Sequence, residues 1–228
     1  MRPARAIVFD LDGTLADTRE DIAAACNHAL RALGRTPLSV ATIAGFVGDG
    51  SRTLVARAFG LPADDPVVTN AFALFGDYYA SHAADHVSWM PGAREALGAC
   101  AHLPLALATN KPRSATLPLL DALGIASRFR AVFAGGDGPL KPDPTGIREL
   151  LTKLGVAPDD AWVVGDGPQD IGAGRGAGAW TVAVLGGFSS TECLEAAGPH
   201  RVIPSLGALA ELVSDVATGK ESPPSVGR

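Results

Sequence analysis

The sequence has few cysteines, few aromatic residues and no long hydrophobic run. Among its 228 residues are 3 cysteines, and aromatic residues make up 6%. An odd number of widely spaced cysteines forms neither a disulfide framework nor a zinc site, so we expect reduced thiols in a cytoplasmic protein. No apolar run reaches the roughly 18 residues that a membrane-spanning helix needs. The first apolar segment, Ala6–Phe9, is also too short for the core of a secretion signal.

Positive charge is scarce as well. Lysine and arginine number 19 against 24 aspartates and glutamates, which gives a net charge of -5 at pH 7. This balance argues against nucleic acid or an anionic membrane as the main partner. A hydrophobic share of 47% predicts a globular protein, and 27 glycines and 17 prolines predict many tight turns.

Short apolar runs bounded by glycine, proline and aspartate alternate with helical patterns along the chain. Most of these runs lack polar alternation, which is typical of strands buried on both faces. The predicted strands are Ala6–Phe9, Leu105–Ala108, Ala131–Phe133, Trp162–Val164, Trp180–Val184 and Arg201–Ile203. The predicted helices between the later strands are Pro91–Ala101, Pro112–Leu123, Pro144–Leu154 and Gln169–Ala177. This alternation predicts an α/β fold with a doubly wound parallel sheet.

The segment between the first two strands contains only helical patterns. Because a crossover between parallel strands needs one helix, several helices here predict an inserted α-helical subdomain. We expect this subdomain at 16–89, with hinges near Leu15–Asp17 and Met90–Gly92. Residues 1–15 and 90–217 would form the α/β core, and 218–228 would form a flexible tail.

Two aspartates, Asp10 and Asp12, follow the first predicted strand, and Gly13 allows a sharp turn after them. Side chains two residues apart leave a strand on the same side. Open α/β sheets bind ligands at this carboxyl edge. Two like charges so close together need a cation or a proton, although a pair of helix-capping carboxylates is the simpler alternative.

A second acidic pair follows the strand at Trp162–Val164. Asp166 ends this strand, and Asp170 lies at the start of the next helix. Asp170 alone would be an ordinary acid in a first helical turn. Together with the first pair, these carboxylates offer the hard oxygen ligands that suit Mg²⁺.

Polar residues also follow the strand at Leu105–Ala108. Thr109 and Asn110 offer hydrogen-bond donors for a phosphate or another oxyanion, although Thr-Asn is also a common helix N-cap. Further along, prolines at 142 and 144 restrict the backbone beside Lys141 and so direct its ammonium group. A lone lysine before a helix is otherwise simply solvated.

Taken in order, the patterns DxDGT, TN, KPxP and GDxxxD resemble the four motifs of the haloacid dehalogenase (HAD) superfamily, and the helical insertion resembles its C1 cap. Within the superfamily, the sequence is most similar to the phosphoglycolate phosphatase group. The similarity lies in Asp10–Thr18 (DLDGTLADT), Phe46–Gly50 (FVGDG), Thr109–Pro112 (TNKP) and Ala134–Asp137 (AGGD).

This resemblance implies a Mg²⁺-dependent phosphomonoester hydrolase that forms an aspartyl-phosphate and acts on 2-phosphoglycolate or a similar small phosphorylated acid. Asp10 would be the nucleophile, and Asp12 the general acid and base. The residues implied in phosphate binding are Thr109, Asn110 and Lys141, with Lys141 also offsetting the charge of the nucleophile. The implied metal ligands are Asp10, the backbone carbonyl of Asp12, Asp166 and, directly or through water, Asp170.

The turn Val47–Arg52 resembles the substrate-specificity loop of C1-capped relatives. It contains Gly50 and Arg52, and an arginine there could bind a carboxylate or a second phosphate with two parallel hydrogen bonds. A solvated arginine at a helix start is the alternative. Arg19, near the first hinge, is a weaker candidate.

The sequence leaves three other functions open. A phosphosugar mutase similar to β-phosphoglucomutase would need a further acid or base in the cap, where Asp49 could serve. A phosphatase for pyrophosphate or nucleoside monophosphates and a signalling receiver module are the others. Asp12 argues against a dehalogenase, which has no need of a second acid. The expected partner is a small phosphorylated metabolite, and the sequence leaves open whether the protein is a monomer or a homodimer.

Overall fold

A computed structural model of the chain describes residues 1–218. The flexible tail expected at 218–228 therefore lies outside the described residues, apart from Thr218, which ends the last helix. The strands are β1 (Ala6–Phe9), β2 (Ala16–Asp17), β3 (Ser88–Trp89), β4 (Leu105–Pro112), β5 (Ala131–Gly135), β6 (Ala161–Gly165), β7 (Trp180–Val184) and β8 (Arg201–Ile203). The helices are α1 (Arg19–Ala32), α2 (Val40–Ala44), α3 (Ser51–Phe59), α4 (Pro66–His82), α5 (Ala93–Ala99), α6 (Arg113–Ala122), α7 (Thr145–Leu154), α8 (Pro168–Ala177), α9 (Thr191–Ala196) and α10 (Leu209–Thr218).

Six strands form one parallel sheet in the order β5-β4-β1-β6-β7-β8. All residues of β1 are fully buried because helices cover both faces of the sheet. Ile7 and Phe9 pack into the hydrophobic cluster on one face, and Val8 packs into the cluster on the other. The prediction of a doubly wound parallel sheet is confirmed.

The strand order reverses beside β1. From β1 the chain continues to β4 and β5 on one side, and it then returns to β6 on the other side. A crevice forms at the carboxyl ends of strands where the order of an open α/β sheet reverses in this way. The ends of β1, β4 and β6 are therefore where this fold favours a ligand site.

The chain between β2 and β3 forms the four helices α1 to α4. These helices have a hydrophobic cluster of their own, which includes Ile22, Leu30, Val55 and Phe75. The division into 1–15, 16–89 and 90–217 stays a prediction.

Short elements at the edges of the fold were not predicted. Strands β2 and β3 pair antiparallel, with Ala16 opposite Trp89, close to the expected hinges. Two-residue strands have no periodic pattern by which a sequence could reveal them. Helices α9 and α10 were also not predicted. Within residues 1–218, no helix combines the length and hydropathy that crossing a bilayer requires.

The three thiols differ in exposure, and this predicts their reactivity. Burial raises the pKa of Cys26 to about 12 and that of Cys100 to about 11, whereas Cys193 is exposed. Because the thiolate is the reactive form, we expect Ellman's reagent to modify one thiol per native chain and all three in guanidinium chloride. Rapid reaction of a second thiol in the native protein would contradict the burial of Cys26 and Cys100.

Candidate active site

The loop after β1 is a tight turn. The Asp10 N–H donates to the Val164 carbonyl at 2.9 Å and so continues the pairing of β1 with β6. The N–H groups of Leu15 and Ala16 both donate to the Leu11 carbonyl at 2.9 Å. This turn holds the first acidic motif at the carboxyl edge of the sheet.

Gly13 is required where this loop meets Asp166. Its φ of +84° favours glycine, and a Cβ atom there would lie 2.4 Å from Asp166 Oδ2. The Thr14 hydroxyl donates to Asp166 Oδ1 at 2.6 Å, and the Phe188 N–H donates to Asp166 Oδ2 at 2.7 Å. The carboxylate at the end of β6 is thus fixed against the loop that follows β1.

Three buried carboxylates converge on one point. Oxygen atoms of Asp10, Asp166 and Asp170 lie within 4.8 Å of one another. Lys141 Nζ donates to Asp10 Oδ1 and to Asp170 Oδ1 at 2.6 Å, and to the Ala108 carbonyl at 2.7 Å. The structure therefore brings together four of the predicted site residues from three separate segments of the chain.

The electrostatics of this cluster favour an additional cation. Burial, followed by the charge of Asp170, raises the pKa of Asp10 well above its usual range. The same two causes raise the pKa of Asp166 to about 6. Burial lowers the pKa of Lys141, but the adjacent carboxylates of Asp10 and Asp170 outweigh it and the net shift is upward. One ammonium group faces three carboxylates, so these residues could hold a metal ion.

The side chain of Asp12 lies apart from this cluster. Its Oδ1 accepts hydrogen bonds from the Thr18 hydroxyl at 2.7 Å and from Lys111 Nζ at 2.9 Å. No hydrogen bond from residues 1–218 reaches its Oδ2. The two aspartates of the DxD pattern thus have different surroundings, one beside the other carboxylates and one beside a lysine.

The residues at the end of β4 lie at the cleft. Thr109 is buried and lines it, and its role as a phosphate ligand stays a prediction. The amide nitrogen of Asn110, however, donates to the Gly48 carbonyl at 2.7 Å and to the Lys141 carbonyl at 2.9 Å. Both amide hydrogens thus have acceptors within the protein. Phosphate binding by Asn110, which also lines the cleft, stays a prediction. Asn110 connects the segment of Lys141 to the loop before α3.

The structure does not bring Arg52 to the site, contrary to expectation. Its guanidinium donates to the Ala63 carbonyl at 2.7 Å and lies over the Phe72 ring, 5.2 Å from the centroid. Helical geometry explains this, because Arg52 follows Ser51 on α3 and points away from the face that lines the cleft. Gly50, the other predicted cap residue, does line it.

Two residues of the site were missed in the sequence. Lys111 donates to Asp12 and to the Tyr79 hydroxyl, and Tyr79 lies on α4. Lys111 directly follows the Thr-Asn pair, and its place in the TNKP motif was the available signal. Tyr79 carried no signal, because its contact joins residues 32 positions apart.

A cleft lies over these groups. Both the sheet and the helical segment line it. The residues from the sheet side include Asp10, Asp12, Thr109, Asn110, Lys111, Lys141 and Asp166. Those from the helical segment include Ile22, Gly50, Ser51, Leu54, Phe75 and Tyr79.

Comparison with known proteins agrees with this arrangement. A phosphoglycolate phosphatase of Pseudomonas putida is 37% identical, over 94% of this chain and 82% of its own length. One of Rhodospirillum rubrum is 38% identical, over 90% of this chain and 86% of its own. The crystal structure of a predicted phosphoglycolate phosphatase from Haemophilus somnus superposes with a TM-score of 0.83 at 26% identity, covering 93% of this chain and 99% of the other.

The family comparison covers the elements that build the site. The sequence-family model of the haloacid dehalogenase-like hydrolases matches residues 7–184, a range that runs from β1 to the end of β7. This range includes both acidic pairs, the end of β4 and Lys141. The chain belongs to the haloacid dehalogenase-like hydrolase family.

Proposed function

We propose that the protein is a Mg²⁺-dependent phosphomonoester hydrolase whose substrate is 2-phosphoglycolate or a similar small phosphorylated acid. The observation that carries this proposal is the separation of the two aspartates after β1. Asp10 lies among the clustered carboxylates beside Lys141, whereas Asp12 has one carboxylate oxygen without a donor from residues 1–218. A nucleophile and a separate acid and base are what phosphoryl transfer through a covalent intermediate requires.

The donor set supports Mg²⁺ as the cation. The carboxylates of Asp10, Asp166 and Asp170 are hard oxygen ligands, and Lys141 offsets only part of their charge. We infer that these three residues and the backbone carbonyl of Asp12 hold the ion, with Asp170 acting directly or through water. When bound, Mg²⁺ would lower the repulsion between these carboxylates and a dianionic phosphate.

In the first step, a carboxylate oxygen of Asp10 attacks phosphorus. A bond from this oxygen to phosphorus forms, the bond from phosphorus to the ester oxygen breaks, and Asp12 gives its proton to the departing alkoxide. Lys141 keeps Asp10 oriented through the hydrogen bond of 2.6 Å. Thr109, at the edge of the cleft, supplies a hydroxyl for the phosphoryl oxygens.

In the second step, water hydrolyses the aspartyl-phosphate. Asp12, now a carboxylate, takes a proton from the water as the water oxygen attacks phosphorus. The bond between phosphorus and Asp10 breaks, and inorganic phosphate and the Asp10 carboxylate are released. The hydrogen bonds from Thr18 and Lys111 hold Asp12 in one orientation for both proton transfers. Apolar side chains of the helical segment, among them Ile22, Leu54 and Phe75, limit the access of bulk water.

We infer the role of a cap for 16–89 from its position over the cleft. The names of the relatives from Pseudomonas putida and Rhodospirillum rubrum support a small phosphorylated acid as substrate. A mutase is not favoured, because the one acid available in the loop before α3 is engaged elsewhere. Asp49 forms an ion pair with Arg57, and it does not line the cleft.

A panel of phosphate esters assayed with and without Mg²⁺ tests the proposed function. We expect phosphate release from 2-phosphoglycolate with about 5 mM Mg²⁺. With excess EDTA the rate should fall by at least about 100-fold. Activation should return when Mg²⁺ is restored. Equal hydrolysis with and without the metal, or turnover of a sugar phosphate alone, would reject this assignment.

A further inference from the structure

The cleft contains two lysines whose hydrogen bonding differs. Lys141 uses all three of its N–H groups on Asp10, Asp170 and the Ala108 carbonyl. Lys111 uses two, on Asp12 and on the Tyr79 hydroxyl. Its third N–H meets no acceptor from residues 1–218, although the side chain is only 2% exposed and lines the cleft. An ammonium group removed from water with a donor unused is suited to an anionic ligand.

The surroundings of Lys111 hold its charge in place. Its Nζ lies 4.7 Å from the centre of the Tyr79 ring, and the hydroxyl of the same ring accepts one of its hydrogen bonds. Burial lowers the pKa of Lys111, but the charge of Asp12 and the hydrogen bonds to Asp12 and Tyr79 outweigh it and the net shift is upward. The lysine is thus a fixed positive charge at the junction of β4 and the helical segment.

The chemistry of the substrate places a second anion at this point, and this step rests on the proposed function. In 2-phosphoglycolate the carboxylate carbon is two bonds from the ester oxygen that Asp12 would protonate. The carboxylate must then lie within a few ångströms of Asp12, on the side away from the phosphoryl group. Lys111 Nζ is 2.9 Å from Asp12 Oδ1, whereas the guanidinium of Arg52 is directed to Ala63.

We propose that Lys111 is a specificity-determining residue, which binds the carboxylate of the substrate through its unused N–H group. Tyr79 is its positioning residue, because it fixes the ammonium from the side of α4. The N-terminal end of α3, at Gly50 and Ser51, lines the same cleft and adds a favourable potential for an anion. The recognised ligand class is a phosphate ester with a carboxylate two bonds from the ester oxygen.

Two substrates that differ only in the carboxylate can show whether Lys111 recognises this group or contributes equally to the hydrolysis of any phosphate ester. 2-Phosphoglycolate carries the carboxylate, and 2-hydroxyethyl phosphate carries a hydroxymethyl group in its place. For the wild type we expect kcat/KM to favour 2-phosphoglycolate. In Lys111→Met this preference should fall by about 30-fold, mainly through KM, because a charge-assisted hydrogen bond is lost. Lys111→Gln should show the same loss of preference, and it replaces Lys111→Met in this measurement if the methionine variant does not fold.

Equal losses for both substrates would overturn this proposal, because they would show that Lys111 acts only by orienting Asp12. Arg52→Ala is the matched control, since it removes a cation from the same region that points away from the cleft. Its KM for 2-phosphoglycolate should equal that of the wild type. Tyr79→Phe removes the hydrogen bond that positions the ammonium but keeps its charge, so the substrate preference should fall, and by less than in Lys111→Met.

A binding measurement gives a readout that is independent of turnover. Calorimetric titration of Asp10→Asn with 2-phosphoglycolate in Mg²⁺ should give a Kd about 30-fold lower than that of Asp10→Asn/Lys111→Met. Equal affinities would overturn the proposal. A wild type that hydrolyses both esters equally would also overturn it but leave the phosphatase function intact, whereas no hydrolysis of either ester would reject the proposed function itself.

Discussion

Asp10→Asn is expected to reduce kcat for phosphate-ester hydrolysis by about 10⁴-fold or more, the scale seen when a nucleophile is removed. The asparagine amide has nearly the same shape as the carboxylate but cannot form the phosphoryl-enzyme. The replaced group also lies in a buried cluster, with oxygen atoms of Asp166 and Asp170 within 4.8 Å. Asp166 and Asp170 are poor replacements, because each already accepts hydrogen bonds at both carboxylate oxygens.

The fold should survive this change. Without Mg²⁺, three buried carboxylates share one lysine, so removing one negative charge reduces their repulsion while Lys141 keeps Asp170 as a partner. We therefore expect the midpoint of thermal unfolding in EDTA to stay the same or to rise. Circular dichroism and a steady-state phosphate assay provide the two measurements. Asp121→Asn, at an exposed position of α6, is the matched control and should have wild-type activity. Turnover by Asp10→Asn above about 1% of the wild type would show that another group is the nucleophile.

Lys141→Met is expected to have the largest effect on stability. The buried ammonium group is the common partner of Asp10 and Asp170, at 2.6 Å from each, and its loss leaves their charges without compensation. Removing one member of a buried ion pair costs about 3–5 kcal/mol in the free energy of unfolding. The side chain also positions the nucleophile, so kcat should fall by about 10³-fold.

Urea unfolding in EDTA and in Mg²⁺ measures this effect. In EDTA the free energy of unfolding of Lys141→Met should be about 3–5 kcal/mol lower than that of the wild type. Mg²⁺ should restore part of this difference, because a cation that binds the folded state stabilises it. Lys153→Met, at an exposed position of α7, is the control and should change stability by less than about 0.5 kcal/mol. Unchanged stability of Lys141→Met in EDTA would contradict the buried ion pairs.

The sheet and the acidic site could be predicted because both depend on local patterns. The strand at Ala6–Phe9 was predicted with its observed bounds, since four apolar residues before an aspartate leave little choice of element. Once the strands are parallel, their carboxyl ends share one edge. Asp10, Asp166 and Asp170 then come together as a consequence of the fold, without any knowledge of side-chain contacts.

The segment that covers the site was less predictable. Helices were predicted within 16–89, but the direction of Arg52 on the helix Ser51–Phe59 was not. Which side of a helix faces a cleft depends on how the helix packs, and the packing of α3 directs Ser51 to the cleft and Arg52 to Ala63. The same holds for Asn110, whose amide nitrogen donates to the carbonyls of Gly48 and Lys141, contacts that no local pattern indicates.

The amino-acid sequence is sufficient to establish the parallel α/β core, the position of its acidic edge and the membership of the family, because each follows from short-range patterns and motif order. The contact of Lys111 with Asp12 and Tyr79 has no such pattern, since it joins residues 99 and 32 positions apart. Contacts of this kind form only when separate elements pack, and their energies depend on distance and burial. For this reason the candidate catalytic aspartates can be identified from the sequence, whereas the lysine that we propose to select the substrate is evident only in the folded protein.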